Sequence, residues 1–150
     1  MVIKLIAIGP KHDPQLKDKM AGFVKRLPYS VDWQLLPYSK ADGDVARQSE
    51  STQILSKVSE RDLCILLDET GSQLTSEALA GKLSSWLSYG RPLVFVIGGA
   101  YGVDQRLKDR ADFIWSLSQL VFPHQLVRLM LVEQLYRAST IASGHPYHHK

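Results

Sequence analysis

The sequence predicts a single-domain α/β fold with a mainly parallel sheet, and three observations predict it. Residues 2–9, 63–67 and 93–97 are short runs, apolar almost throughout and without polar alternation, the pattern of strands buried on both faces. The segments between them carry apolar residues at helical spacing, so strand and helix alternate along the chain. At 150 residues the chain fits one domain with room for a real core.

Each element follows from local signals. Residues 2–9 form a first strand ending at Gly9. Leu16, Met20, Phe23, Val24 and Leu27 recur at helical spacing, with Pro14 near the start and Pro28 past the end. Residues 31–36 alternate weakly and predict a second strand. After a flexible loop at 39–44, residues 42–59 predict a surface helix on the thin stripe Val45, Leu55 and Val58. Residues 63–67 form a third strand, closed by Asp68, Glu69, Thr70 and Gly71. Leu79, Leu83, Trp86 and Leu87 make the face of the next helix. Thr75 or Ser76 caps that helix, Glu77 suits its first turn and Gly90 ends it.

The strand at 93–97 follows, then Gly98, Gly99 and Gly102. Asp104 caps a short helix over 104–111, and residues 113–116 predict a fifth strand. Residues 117–122 form a loop, and residues 124–143 a long helix. Its apolar residues, among them Leu126, Val127, Leu129, Met130, Leu131 and Leu135, cover most of its circumference. A helix apolar nearly all round is buried, and in so small a domain a second copy of the chain supplies the cover. Gly144 ends it, and the terminal position of the tail that follows predicts disorder.

Composition narrows the class. Hydrophobic residues at 45% and charged residues at 22% describe an ordinary globular protein. No apolar run is long enough to span a bilayer, and the N-terminal stretch lacks the pattern of a signal peptide, so the expected location is cytoplasmic. Cys64 is the single cysteine and sits inside an apolar run, so it reads as a buried small hydrophobe. No cysteine-based or HExxH metal site is present in the sequence. A net charge of +3 and a pI near 9.0 are compatible with a polyanionic partner.

The chemistry candidates cluster late in the chain. The stretch PLVFVIGGAYG, from Pro92 to Gly102, is an apolar strand running into glycines. Glycines allow a tight turn and let a ligand lie against the main chain. In open parallel sheets ligands bind beyond the carboxyl ends of strands. The spacing is GGxxG after a late strand, not GxGxxG after the first, and there is no Walker A sequence, which disfavours dinucleotide and nucleoside-triphosphate sites. On its own GGxxG fits a plain strand–helix turn as well as a ligand loop, with Gly99 and Gly102 serving the turn. In the loop 117–122, backbone groups could grip a flat heterocycle such as adenine, while Ser116 and Ser118 could equally satisfy the turn's own amides. On the long helix, Arg128, Glu133 and Arg137 stand in a mainly apolar surface and need partners. Glu133 and Arg137 read either as an i,i+4 ion pair or as a pocket face, with Arg137 holding a phosphate or polarising a base carbonyl. His145, Tyr147 and His148 in the tail have the ring chemistry to stack on unpaired bases.

Taken in order, these motifs resemble the ribosomal RNA large subunit methyltransferase H family, small enzymes of the SPOUT superfamily. They are the first strand ending in Gly9, LLDxxG at 66–71, IGGxxG at 97–102 and WSLS at 115–118, then PHxLVRxxLxEQLYRA at 123–138 and HPYH at 145–148. The resemblance covers the whole chain. It implies a SPOUT-type α/β sheet with a C-terminal trefoil knot, a topology that residue patterns do not reveal. It implies S-adenosylmethionine as methyl donor without a metal, and a homodimer built on the long helix. The implied reaction is N3-methylation of a pseudouridine in a 23S rRNA stem-loop of the assembled 70S ribosome. Carried over by position, cofactor contacts fall on Leu67, Gly98, Leu117, Ser118, Gln119, Leu120, Val121 and Phe122. Arg137 is expected to stabilise negative charge on the base or hold a neighbouring phosphate. Glu133 orients it or helps move the proton, and Tyr147 and His148 close over the base in a site shared between subunits. Alternatives are a SPOUT methyltransferase for a tRNA base or a ribose, and a non-catalytic ribosome-binding α/β module.

Overall fold

In the computed structural model, which describes residues 1–149, strands and helices alternate throughout. The first half holds β1 (Val2–Ile8), α1 (Pro14–Lys25), β2 (Ser30–Leu36), α2 (Gly43–Leu55) and β3 (Leu63–Gln73). The second holds α3 (Ser76–Ser88), β4 (Leu93–Ile97), α4 (Gln105–Arg110), β5 (Phe113–Ser116) and α5 (His124–Ser143). The strands form one five-stranded sheet in the order β2-β1-β4-β3-β5, every neighbouring pair parallel. Among the described residues no helix is long and apolar enough to cross a membrane.

The pleat sorts each central strand between two cores. Ile3, Leu5, Ile65, Leu93 and Phe95 face a core completed by Met20 of α1, Leu83 and Trp86 of α3, and Leu131 and Leu135 of α5. Ile6, Ile8, Cys64, Leu66, Val94 and Val96 face the other side, under Ile54 of α2 and Leu107 of α4. Burial on both faces explains why these strands carry no polar alternation.

Three elements differ from the sequence expectation. Helix α2 ends at Leu55 rather than near Ser59, and its inward positions are Ala46, Glu50, Ser51 and Ile54. Those positions are mostly small or polar, so the apolar stripe is weak, and Val45 faces solvent. Strand β3 does not close at Asp68–Gly71 but runs on to Gln73, with a register shift against β5 between Leu67 and Ser72. Gly71 makes this possible, because a side chain there would collide with the Ile114 main-chain carbonyl. Helix α5 is not enclosed on all sides by its own chain. Leu131, Val132 and Leu135 are buried, whereas Leu126 is exposed and Val127, Leu129 and Met130 are only partly covered. The caps follow expectation: Thr75 Oγ1 accepts the Ala78 N–H at 3.0 Å, and Asp104 Oδ1 accepts the Leu107 N–H at 3.2 Å.

One buried cation ties α5 to the sheet. Arg128 is fully buried and has no carboxylate partner among the described residues. Its Nη2 donates to the carbonyls of Ile8 at 2.9 Å and Gly9 at 3.0 Å. Its Nη1 donates to the Lys11 carbonyl at 3.0 Å and to His12 Nδ1 at 3.2 Å. The chain turns at Gly9 with φ of +122°, and a Cβ there would lie 2.7 Å from Arg128 Nη2, so both conformation and space require glycine.

Replacing Arg128 by methionine takes a charged donor away from the carbonyls of Ile8, Gly9 and Lys11, and only that of Lys11 keeps a second side-chain donor, Gln125 Nε2 at 3.0 Å. Urea denaturation of Arg128→Met is expected to show a loss of about 3 kcal/mol or more. Arg128→Lys is expected to recover only part of it, because one ammonium cannot span the same acceptors.

Candidate functional site

The carboxyl ends of β4 and β5, with the middle of β3 at its register shift after Leu67, open onto one cavity of about 640 Å³. Leu67 and Asp68 form one wall, the glycine loop from Gly98 to Gly102 a second, and the loop after β5 a third. Pro123, His124 and Val127 at the start of α5 complete it. Of the residues expected to line a ligand site, Leu67, Gly98, Leu117, Ser118, Leu120, Val121 and Phe122 do line this cavity, whereas Gln119 does not. Leu120 and Val121 on its rim are 70% and 79% exposed, unusual for side chains of this kind side by side.

The glycine loop is shaped by close approach at two positions and by a turn at the third. A Cβ at Gly98 would lie 2.8 Å from Val103 Cγ1, and one at Gly99 would lie 2.5 Å from Glu50 Oε1. Gly102, with φ of +77°, makes the turn and donates its N–H to the Gly99 carbonyl at 3.0 Å. Gly99 therefore does more than serve the turn. The two serines after β5 satisfy the loop itself: Ser116 Oγ donates to the Ser118 carbonyl at 2.8 Å, and Ser118 Oγ accepts the Leu120 N–H at 3.0 Å.

Sequence reasoning missed the part played by α2, which braces the glycine loop from below. Arg47 Nε donates to the Tyr101 carbonyl at 2.8 Å, and Ser51 Oγ accepts the Asp104 N–H at 2.9 Å. The Tyr101 hydroxyl donates to Asp42 Oδ1 at 3.0 Å, and that carboxylate pushes the tyrosine pKa up. Glu50 is buried; its Oε2 accepts the Ser39 N–H at 3.0 Å, and its Oε1 faces Gly99 with no partner. The signal available was the run of polar residues at inward positions of a helix, which reads simply as a solvated face.

A second group gathers on the far half of α5. Arg137 Nε donates to Glu133 Oε1 at 2.9 Å, and its Nη2 lies 2.7 Å from the same oxygen. Gln134 Nε2 donates to Glu133 Oε2 at 2.6 Å, and the Tyr147 hydroxyl donates to Glu133 Oε1 at 3.3 Å. Arg137 Nη1 lies 3.0 Å from His148 Nδ1. Arginine has only donors, so Nδ1 accepts, and Nε2 carries the proton donated to Glu77 Oε1 at 3.0 Å. The Arg137 guanidinium also rests 4.8 Å from the Tyr147 ring centre. The tail is thus docked on α5 and α3, where disorder was expected, because its aromatic and imidazole groups complete this network.

The structure brings Glu133, Arg137, Tyr147 and His148 together but sets them apart from the cavity. Arg137 is thirteen residues beyond His124 on α5, about 20 Å along the axis at 1.5 Å per residue.

Gly99→Ala forces a methyl group against a buried carboxylate. Thermal and urea denaturation are expected to show destabilisation of about 1–3 kcal/mol. Combining it with Glu50→Ala is expected to cost less than the sum of the two single changes. A pH dependence follows from His12 and His124, both held below the ordinary histidine range, first by burial and then by the Arg128 charge. Their folded-state pKa values are depressed, so the unfolded chain takes up protons first, and stability is expected to fall as pH drops below 6.5. His12→Asn keeps an acceptor for Arg128 and is expected to flatten that fall.

The family model described as "Predicted SPOUT methyltransferase" matches residues 1–148. A protein of Thiobacillus denitrificans named ribosomal RNA large subunit methyltransferase H is 40% identical over 154 residues, covering 99% of each chain. The protein of that name from Synechococcus sp. RCC307 is 45% identical over 146 residues, 97% of this chain and 93% of its own. The one from Methylobacillus flagellatus is 36% identical over 154 residues, 99% of each. With a sheet whose strand ends open onto a glycine-cradled cavity, and similarity running nearly end to end, this chain belongs to the SPOUT methyltransferase family.

Proposed function

We propose that the chain transfers a methyl group from S-adenosylmethionine to N3 of a pseudouridine in a 23S rRNA stem-loop of the assembled ribosome, and that it works as a homodimer. The observation that carries this reading is the pairing, on one helix, of a main-chain cavity at its start with an arginine-centred polar cluster farther along. The names of the relatives, which state action on large-subunit ribosomal RNA, support the substrate class.

The cavity suits the cofactor. Its volume of about 640 Å³ is in the range for a ligand of that size. Gly98 and Gly99 seat the loop tightly on Val103 and Glu50, and the loop from Gly98 to Gly102 forms one wall of the cavity. Leu67, Gly98, Leu117, Ser118, Leu120, Val121 and Phe122 would hold it, with Gln119 completing the same loop. The trefoil knot belongs to this proposal. When bound, the cofactor supplies a methyl group on an electron-poor sulfonium.

The chain's own residues then have two tasks. One is to place N3 in line with that methyl, a proximity effect. The other is to ease loss of the N3 proton. Both Glu133 oxygens already accept hydrogen bonds, from Arg137, Tyr147 and Gln134. The His148 lone pair is taken by Arg137. This arrangement favours Arg137 as the fixed cation beside the developing imide anion, with Glu133 orienting it rather than acting as base. Tyr147 and His148 close the wall behind it.

Two copies resolve the separation along α5. A two-fold axis near the middle of the helix sets each cavity beside the partner's Arg137 cluster and covers Leu126, Leu129 and Met130. A SPOUT methyltransferase for a tRNA base or a ribose is the competing reading, and a non-catalytic ribosome-binding module a third.

The test is methyl transfer from labelled S-adenosylmethionine to 70S ribosomes lacking the modification, with mass mapping of the product. One methyl on a 23S pseudouridine is expected. Arg137→Ala is expected to lower kcat by about 10²–10³-fold with cofactor binding unchanged. Methylation of tRNA or of free subunits alone overturns the substrate, and cofactor binding without any transfer overturns the enzyme.

A further inference from the structure

Arg26 and Arg61 are exposed arginines with no carboxylate partner among the described residues, and of the two only Arg26 is seated on aromatic rings. Arg47, Arg91, Arg106, Arg110 and Arg137 each pair with a carboxylate. Arg26 is exposed and has no carboxylate within reach among the described residues. It caps the end of α1, where its Nε donates to the Gly22 carbonyl at 3.1 Å. No described residue accepts from its Nη1 or Nη2. The group is nevertheless held in place by two rings, its Cζ lying 5.0 Å from the Phe23 centre and 4.7 Å from the Tyr136 centre.

This stacking fixes the plane of the guanidinium without using its outer donors. The position matters as well. The Tyr136 ring meets the Tyr147 ring at 4.7 Å, and Tyr147 carries the Arg137 guanidinium on its own face. Two planar cations therefore flank a pair of tyrosines that meet edge to face. One, Arg137, is neutralised by Glu133 and bound to His148. The other, Arg26, has no partner for Nη1 or Nη2 and no carboxylate to balance its charge among the described residues.

We infer that Arg26 binds a backbone phosphate of the RNA substrate, adjacent to the nucleotide that the Arg137 cluster receives. A stacked guanidinium with its outer fork free matches the oxygens of a phosphodiester in a bidentate geometry. The fork is already ordered before RNA arrives, so less entropy is lost on binding. Capping of α1 and its dipole require only Nε and a positive charge, and leave the outer fork without a role. The inference rests on the RNA substrate proposed above.

The experiment is binding of the full-length protein to unmodified 70S ribosomes by sedimentation across a salt series. Arg26→Gln is expected to weaken binding about tenfold. It is also expected to lower the slope of log affinity against log salt by about one. Arg26→Lys is expected to restore the slope but not the affinity. Cofactor affinity by calorimetry is expected to stay at the wild-type value, and the melting temperature to fall by only a few degrees for the lost contacts to Gly22 and the two rings. Wild-type affinity and slope in Arg26→Gln overturn the inference. So does full recovery in Arg26→Lys, because lysine supplies the helix-end charge but not the stacked fork. Binding is read without turnover. A wild-type protein that binds ribosomes but transfers no methyl group refutes the proposed reaction and leaves the role of Arg26 decided by the variants. A wild-type protein that binds no ribosome refutes both.

Discussion

The buried Arg128 guanidinium is the constraint on which the rest of the molecule depends. It takes the carbonyls at the end of β1 and of the turn after it, and so fixes where α5 begins relative to the sheet. A cation buried without a described carboxylate is costly unless its donors are used, and here three carbonyls and His12 Nδ1 take both terminal nitrogens while Nε has no described partner. Its charge has consequences one layer out. It helps keep His12 and His124 neutral, and Tyr38 bonds His124 Nε2 at 3.1 Å at the rim of the cavity.

From that anchor α5 runs in two parts. Its first turn closes the cavity at the strand ends, and its second half carries the Glu133–Arg137 pair on which the tail docks. The two parts are too far apart to act on one small substrate within one chain. The partly covered apolar residues between them, with Leu120 and Val121 exposed on the rim, are what a second copy would cover under the proposed function. In that arrangement the arginine that anchors the helix also decides how far each cavity stands from the partner's polar cluster.

Much of this was legible in the residues. Continuous apolar runs gave the parallel strands, because strands buried on both faces lose their alternation. Asp104, Thr75 and Gly144 marked helix ends through their capping chemistry. The glycine loop and the loop after β5 pointed to the cavity, because strand ends are where parallel sheets bind ligands. Other features were hidden for physical reasons. The continuation of β3 through Asp68 and Thr70 looked like a turn, since the crossing that Gly71 permits depends on a distant strand. The brace from α2 was hidden because Glu50 and Ser51 read as solvated polar residues until their long-range partners are known. The tail read as frayed because the partners that hold it, Arg137 and Glu77, lie 11 and 71 residues before His148 and on other elements.

The central claim is that each site is shared between two chains joined through α5. Subunit complementation tests it most directly. Arg137→Ala and Gly98→Val are purified separately, each folded and each inactive on 70S ribosomes, then mixed and allowed to exchange. A heterodimer would hold one site with an intact cavity facing an intact Arg137. The mixture is predicted to recover about a quarter of wild-type activity, since half the dimers are mixed and each has one complete site. No recovery after demonstrated exchange would contradict the account.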